Sequence, residues 1–175
     1  MPAVRSPFMA FAPLVVMAGC STPQTLLPPE VPTALQPPAG QSLYLEALAS
    51  GVQIYQCSQR ADSTFEWAFV APEASLVSRA GQPLGKHYAG PTWESSDGST
   101  VVGAVKARDP GPNTSAIPWL LLTAKTNSGS GMFAAAKSIQ RVATVGGIAP
   151  QEPCPAGNLK QVARVPYTAT YYFYR

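Results

Sequence analysis

Thr92-Trp93-Glu94-Ser95-Ser96-Asp97-Gly98-Ser99-Thr100-Val101-Val102-Gly103-Ala104-Val105-Lys106 is the stretch whose reading decides the fold. Asp-Gly supplies two residues that tolerate the positive φ angles of a tight reversal, which makes it the strongest short hairpin signal. The arms on either side are rich in β-branched and aromatic residues, which suit a pleated, half-buried surface. Working outward, the same grammar repeats. Ala74–Val77 and Leu84–Tyr88 flank Ala80-Gly81-Gln82 as a second hairpin. Leu43–Leu48 and Val52–Cys57 flank Ala49-Ser50-Gly51 as a third, and alternation sets Val52 and Ile54 on the face opposite Gln53 and Tyr55. Phe65–Ala71 is a strand ended by Pro72, and Asp109–Pro118 is a loop. Trp119–Lys125 is almost continuously apolar and reads as a strand covered on both faces. Met132–Lys137 has room for one helical turn, Ser138–Val145 alternates again, and Thr168–Tyr174 is a final aromatic strand. Many short strands, frequent turn residues and no long helical period define an all-β, mainly antiparallel single domain. It is a β-sandwich or barrel with little helix.

The amino terminus is of another kind. Arg5 precedes an apolar run from Pro7 to Gly19, too short and too proline-broken to span a bilayer. A positive start, an apolar middle and small residues before a cut form a secretory signal. Ala18-Gly19-Cys20 specifies the lipoprotein kind, in which the cysteine sulfur carries the lipid. Residues 1–19 are therefore read as a lipoprotein signal peptide, and 20–40 as the lipidated Cys20 followed by a proline-rich tether. Residues 41–175 are the β-rich domain. The chain is expected to be exported and held in the cell envelope by its lipid. Ser21 after the cysteine favours an outer membrane facing the periplasm over the inner one.

Composition narrows the function classes. With 46% hydrophobic and 12% charged residues the chain suits a packed globular body. The net charge of +3 comes with no run of Lys or Arg, which argues against nucleic acid as a partner. With Cys20 lipidated, Cys57 and Cys154 remain, an even number in an oxidising compartment. They form either one bridge or two separate thiols, and the count favours the bridge.

Motifs for catalysis are scarce. Gly81-Gln82-Pro83-Leu84-Gly85-Lys86-His87 has one residue too few between its glycines for a phosphate loop, and His87 replaces the magnesium-binding hydroxyl. No nucleophile elbow and no Cys-x-x-Cys occurs. One histidine is a poor basis for a zinc site, so neither a metal nor a cofactor is expected. Around His87 the polar and aromatic residues crowd together. Tyr88 and Trp93 are candidate walls of a ligand pocket, with His87, Glu94 and Arg141 as its polar contacts. The competing readings are His87 as a catalytic base oriented by Glu94 or Asp97, and a purely structural cluster in which Tyr88 and Trp93 are core and Glu94 pairs with Arg141.

These segments also carry a resemblance. Gly51–Cys57, His87–Glu94, Asp97-Gly98-Ser99, Ala116–Leu122, Ser128–Gly131, Ser138–Val142 with Thr144–Gly147, Cys154, and Pro166–Ala169 with Tyr171–Tyr174 together resemble the domain of unknown function 3455 family of bacteria and fungi, over residues 31–175. The resemblance implies no activity. It strengthens the Cys57–Cys154 bridge, since both cysteines fall within family motifs, and it leaves the pocket open for His87, Trp93, Glu94 and Arg141. The expectation is a membrane-anchored envelope protein whose domain binds a small molecule or an envelope component. The alternatives are a hydrolase built on His87 and a structural envelope protein.

Overall fold

The computed structural model describes residues 25–175, so the readings on residues 1–19 and on Cys20 lie outside it. Eight strands run in sequence order: β1 Leu43–Gln59, β2 Phe65–Val77, β3 Pro83–Tyr88, β4 Thr92–Ser95, β5 Thr100–Asp109, β6 Trp119–Ser128, β7 Ser138–Gly146 and β8 Val162–Tyr174. Each pairs antiparallel with its neighbours, and β1 pairs with β8 to close a barrel. The all-β antiparallel reading stands, and of its two architectures the barrel is the one formed. Closure leaves no long free edge along β1 or β8, which removes the usual hazard of an open sheet.

Two expectations about strand ends are corrected. Ala49-Ser50-Gly51 is not a turn but the middle of a continuous 17-residue β1. Gly51 serves there as a close-approach residue. A Cβ on it would lie 2.0 Å from the Glu73 carbonyl oxygen of β2, so the two backbones meet only because this position has no side chain. Pro72 likewise does not end β2, which continues to Val77. β3 pairs only with Ala74–Val77, so at Pro72 the β3-facing side of β2 is an edge where a missing N–H is tolerated. The turn foreseen over Met132–Lys137 forms without becoming a helix. The described residues hold two 3-10 turns, Thr33–Leu35 and Ala156–Asn158, and no helix long and apolar enough to cross a membrane.

A bulge at Val70 of β2, opposite the Ile54–Tyr55 step of β1, brings both Phe69 and Val70 to the cavity side and leaves the alternation of β1 unbroken. The inward row of β1 is Ala47, Ala49, Gly51, Gln53, Tyr55 and Cys57, while Val52 and Ile54 face out and are half-buried. One end of the barrel is filled by Leu76, Leu122, Phe133, Ile139 and Phe173. The other end carries polar groups inward and is tied by the Cys57–Cys154 disulfide, which links β1 to the β7–β8 connection.

The chain before the barrel is not wholly detached from it. Leu35 is fully buried, and its carbonyl accepts a 2.8 Å hydrogen bond from Gln140 Nε2. Tyr174 Oη donates to Gln140 Oε1, and Val31 packs with Val142, Tyr172 and Tyr174. Residues 31–35, read from sequence as tether, lie against the outside of the barrel. Val31 covers the outward row of β7 and β8, and the Thr33–Leu35 turn packs against β5 and β6.

Candidate functional site

The β3–β4 hairpin is short, and this shapes the site. β3 covers β2 only from Ala74 onward, and β4 covers β5 only over Thr100–Val102. The strands β2 and β5 run on past the hairpin tip at Gly90 and Pro91 with nothing paired between them. The gap opens into a cavity of about 550 Å³ inside the barrel. That volume falls in the range of ordinary small-molecule pockets, roughly 300–1,000 Å³. An eight-stranded barrel has an interior just wide enough either to fill with side chains or to hold one small ligand.

Trp93, His87 and Tyr171 form the inner wall. His87 and Trp93 are directly opposed across the β3–β4 hairpin, and their rings stack with centroids 4.4 Å apart. Tyr171 meets both edge-on, and Trp93 continues onto Phe173, so the wall rests on the filled end of the barrel. Ile117, Leu120 and Leu122 line the side, and Phe69, Val70 and Val105 form exposed apolar lips.

Polar groups are few. His87 Nδ1–H donates to the Thr92 carbonyl at 2.9 Å, which fixes the tautomer and leaves Nε2 as an acceptor. Burial drives the His87 pKa down to about 3, and the nearby Arg141 charge pushes the same way, so the ring is neutral at physiological pH. Arg141, inward on β7, donates from Nε and Nη2 to the Pro118 carbonyl at 3.2 and 2.8 Å. Among the described residues it has no carboxylate partner. Tyr55 Oη donates to the Gly147 carbonyl at 2.6 Å. Two buried donors, Gln53 Nε2 and Trp93 Nε1, meet no partner in good hydrogen-bond geometry among the described residues, although the Tyr167 hydroxyl lies near Gln53. Arg108 stands exposed among the lining residues, which include no Asp or Glu.

Of the residues singled out from sequence, the fold brings His87, Trp93 and Arg141 together on this cavity. It separates Tyr88 and Glu94 from them. These lie on the opposite face of the same hairpin, where Tyr88 Oη donates to Glu94 at 2.6 Å and Lys86 pairs with Glu94 at 3.1 Å. Those two contacts hold the Glu94 carboxyl below its usual range. Strand alternation is the reason, since consecutive residues point to opposite sides of a sheet. The pairing of Glu94 with Arg141 considered from sequence is therefore not formed. Asp97 is occupied in its own turn, accepting from Ser99 Oγ at 2.6 Å and from the Met132 N–H at 2.8 Å, and these bonds lower its pKa to about 2. Neither carboxylate reaches His87, whose Nδ1 is taken by a backbone carbonyl.

Gln53, Tyr55, Ile117 and Tyr171 also line the cavity and were not singled out. The alternation of β1 carried a signal for the first two, but the apolar Val52 and Ile54 look like the inward row, and only the closed barrel shows that Gln53 and Tyr55 take it. Cys57 and Cys154 are bonded, with Cα atoms 5.7 Å apart. No group of three His, Cys, Asp or Glu with metal-binding geometry occurs among the described residues.

Comparison with known proteins gives one match: the family described as protein of unknown function (DUF3455) matches residues 38–175. No curated protein and no solved structure matches the chain.

Proposed function

The chain belongs to the DUF3455 family of proteins of unknown function, and we propose that it is a binding protein whose barrel interior takes up one small molecule. The observation that carries this reading is the pair of orphaned donors, Gln53 Nε2 and Trp93 Nε1, in residues only 2% and 1% exposed on the wall of an open cavity. A buried polar atom left without a partner costs about 1–3 kcal/mol, and both atoms belong to residues that line one cavity, which supports a group that reaches and satisfies them on binding. The apolar lining supplies area, and the few polar atoms supply orientation. The lipoprotein-type signal read at Cys20 supports an envelope membrane as the seat of this binding domain. The hydrolase alternative has no comparable support, because His87 lacks an orienting carboxylate.

The test is recovery of the bound molecule. The full-length chain, purified without denaturation, is unfolded in organic solvent and the released small molecules are measured by mass spectrometry. Val105→Trp serves as the blocked control, since Val105 is an exposed lip residue that tolerates a larger side chain. A molecule released in stoichiometric amount by the wild type and depleted in the variant supports the reading. Equal small-molecule content in both proteins overturns it.

A further inference from the structure

The cavity has a one-sided chemistry. Arg141 spends Nε–H and one Nη2–H on Pro118 and lies beside the Tyr171 hydroxyl, and a guanidinium carries five N–H donors, so at least two remain. Gln53 Nε2 and Trp93 Nε1 add two more donors without a partner in good geometry. A second guanidinium, Arg108, sits among the lining residues, and no carboxylate balances either of them there. Leaving a partly buried cation without a counter-charge is costly, and structures ordinarily pair it or move it to the surface. Neither has happened at Arg141. Against this donor set stand Ile117, Leu120 and Leu122 inside and Phe69, Val70 and Val105 at the lips.

We infer that the ligand is a monocarboxylate with an apolar body, its carboxylate held by Arg141 and its body lying along the aliphatic wall toward the lips. This deepens the small-molecule reading above and rests on it. One inward guanidinium matches one negative charge, and its planar fork suits a carboxylate. A phosphate monoester brings nearly two charges at neutral pH; inside the cavity Arg141 alone meets them, because Arg108 stands exposed at the mouth, where water screens it. His87, kept neutral, adds no second cation to the site.

The experiment is calorimetric titration of the full-length chain with decanoate, 1-decanol and decyl phosphate at pH 8. These share one apolar body and differ in the headgroup. Decanoate is expected to bind about tenfold or more tighter than decanol, the minimum for one new charge-assisted contact in a water-poor site. It is also expected to bind more tightly than decyl phosphate. The wild-type comparison comes first because it needs no substitution at Arg141, which also holds Pro118. Arg141→Met should then equalise decanoate and decanol, and Arg141→Lys should restore part of the preference, each variant checked for a wild-type melting transition. Equal binding of decanoate and decanol to the wild type overturns the carboxylate assignment and leaves the binding reading standing. Tighter binding of decyl phosphate overturns the charge matching in the same way. If none of the three binds, the inference and the cavity reading both fall.

Discussion

His87→Phe, followed across pH, probes the barrel interior through a single side chain. In the folded protein His87 is 2% exposed and its pKa is pushed from 6.5 down to about 3, first by desolvation. The unfolded chain takes up a proton on this imidazole below about pH 6.5, and the folded protein does not do so until about pH 3. Acid therefore favours unfolding over that window. The stability tied to a neutral His87 is complete above pH 6.5 and is lost progressively as pH falls toward 3. Each pH unit inside the window costs about 1.4 kcal/mol. Going from pH 8 to pH 5 crosses about 1.5 of those units, a loss of about 2 kcal/mol. That figure is set by the unfolded imidazole alone, because pH 5 lies well above the folded pKa. Phenylalanine keeps an aromatic ring against Trp93, cannot titrate, and cannot donate to the Thr92 carbonyl. It shifts stability by a pH-independent offset of about 1 kcal/mol. Urea unfolding of both proteins at pH 8 and pH 5 isolates the His87 contribution as a difference of differences, since every other group titrates alike in both. The wild type should lose about 2 kcal/mol more than the variant between the two pH values. Parallel losses within about 0.5 kcal/mol refute the argument, because His87 would then be as accessible to protons folded as unfolded.

Reduction of the Cys57–Cys154 disulfide, or a Cys57→Ser and Cys154→Ser double variant, should lower stability at constant pH. The bond spans 97 residues of chain, so on the chain-entropy account the loss reaches up to about 4.7 kcal/mol by denaturant unfolding. An unchanged midpoint would show that the unfolded chain is not constrained by the bond. Metabolic labelling with radioactive palmitate should mark the wild-type chain and not Cys20→Ala. Label retained in the variant would show that the lipid is carried elsewhere.

How much of this was legible in advance depends on the range over which each feature is decided. The Asp97-Gly98 hairpin, the β2–β3 hairpin, the loop over Asp109–Pro118 and the aromatic β8 follow from turn chemistry and alternation within a dozen residues, and the sequence carries them openly. Gly51 and Pro72 misled because their usual local meaning, turn and strand end, was overridden by neighbours distant in sequence. Gly51 lies where Glu73 presses against β1, and Pro72 sits where β3 has already ended. The residue types of the site were visible around His87, but the side on which each falls was not. Tyr88 and Glu94 are adjacent to His87 and Trp93 in sequence and on opposite faces of the same hairpin.

The sequence alone therefore determined an antiparallel all-β domain, the cysteines available to bond, and the cluster from which His87 and Trp93 come. These rest on φ/ψ preferences and a side-chain period of two, both local. The tertiary structure decided the rest: closure of β1 on β8, the choice of Gln53 and Tyr55 over Val52 and Ile54 as the inward row, and the short hairpin that leaves a mouth between β2 and β5. It also decided that Arg141, some fifty residues from His87, faces the same cavity without a counter-charge. A barrel interior is shared by strands from the whole chain, so its contents are fixed only when registers are fixed, and register is a property of pairs of strands rather than of any one of them.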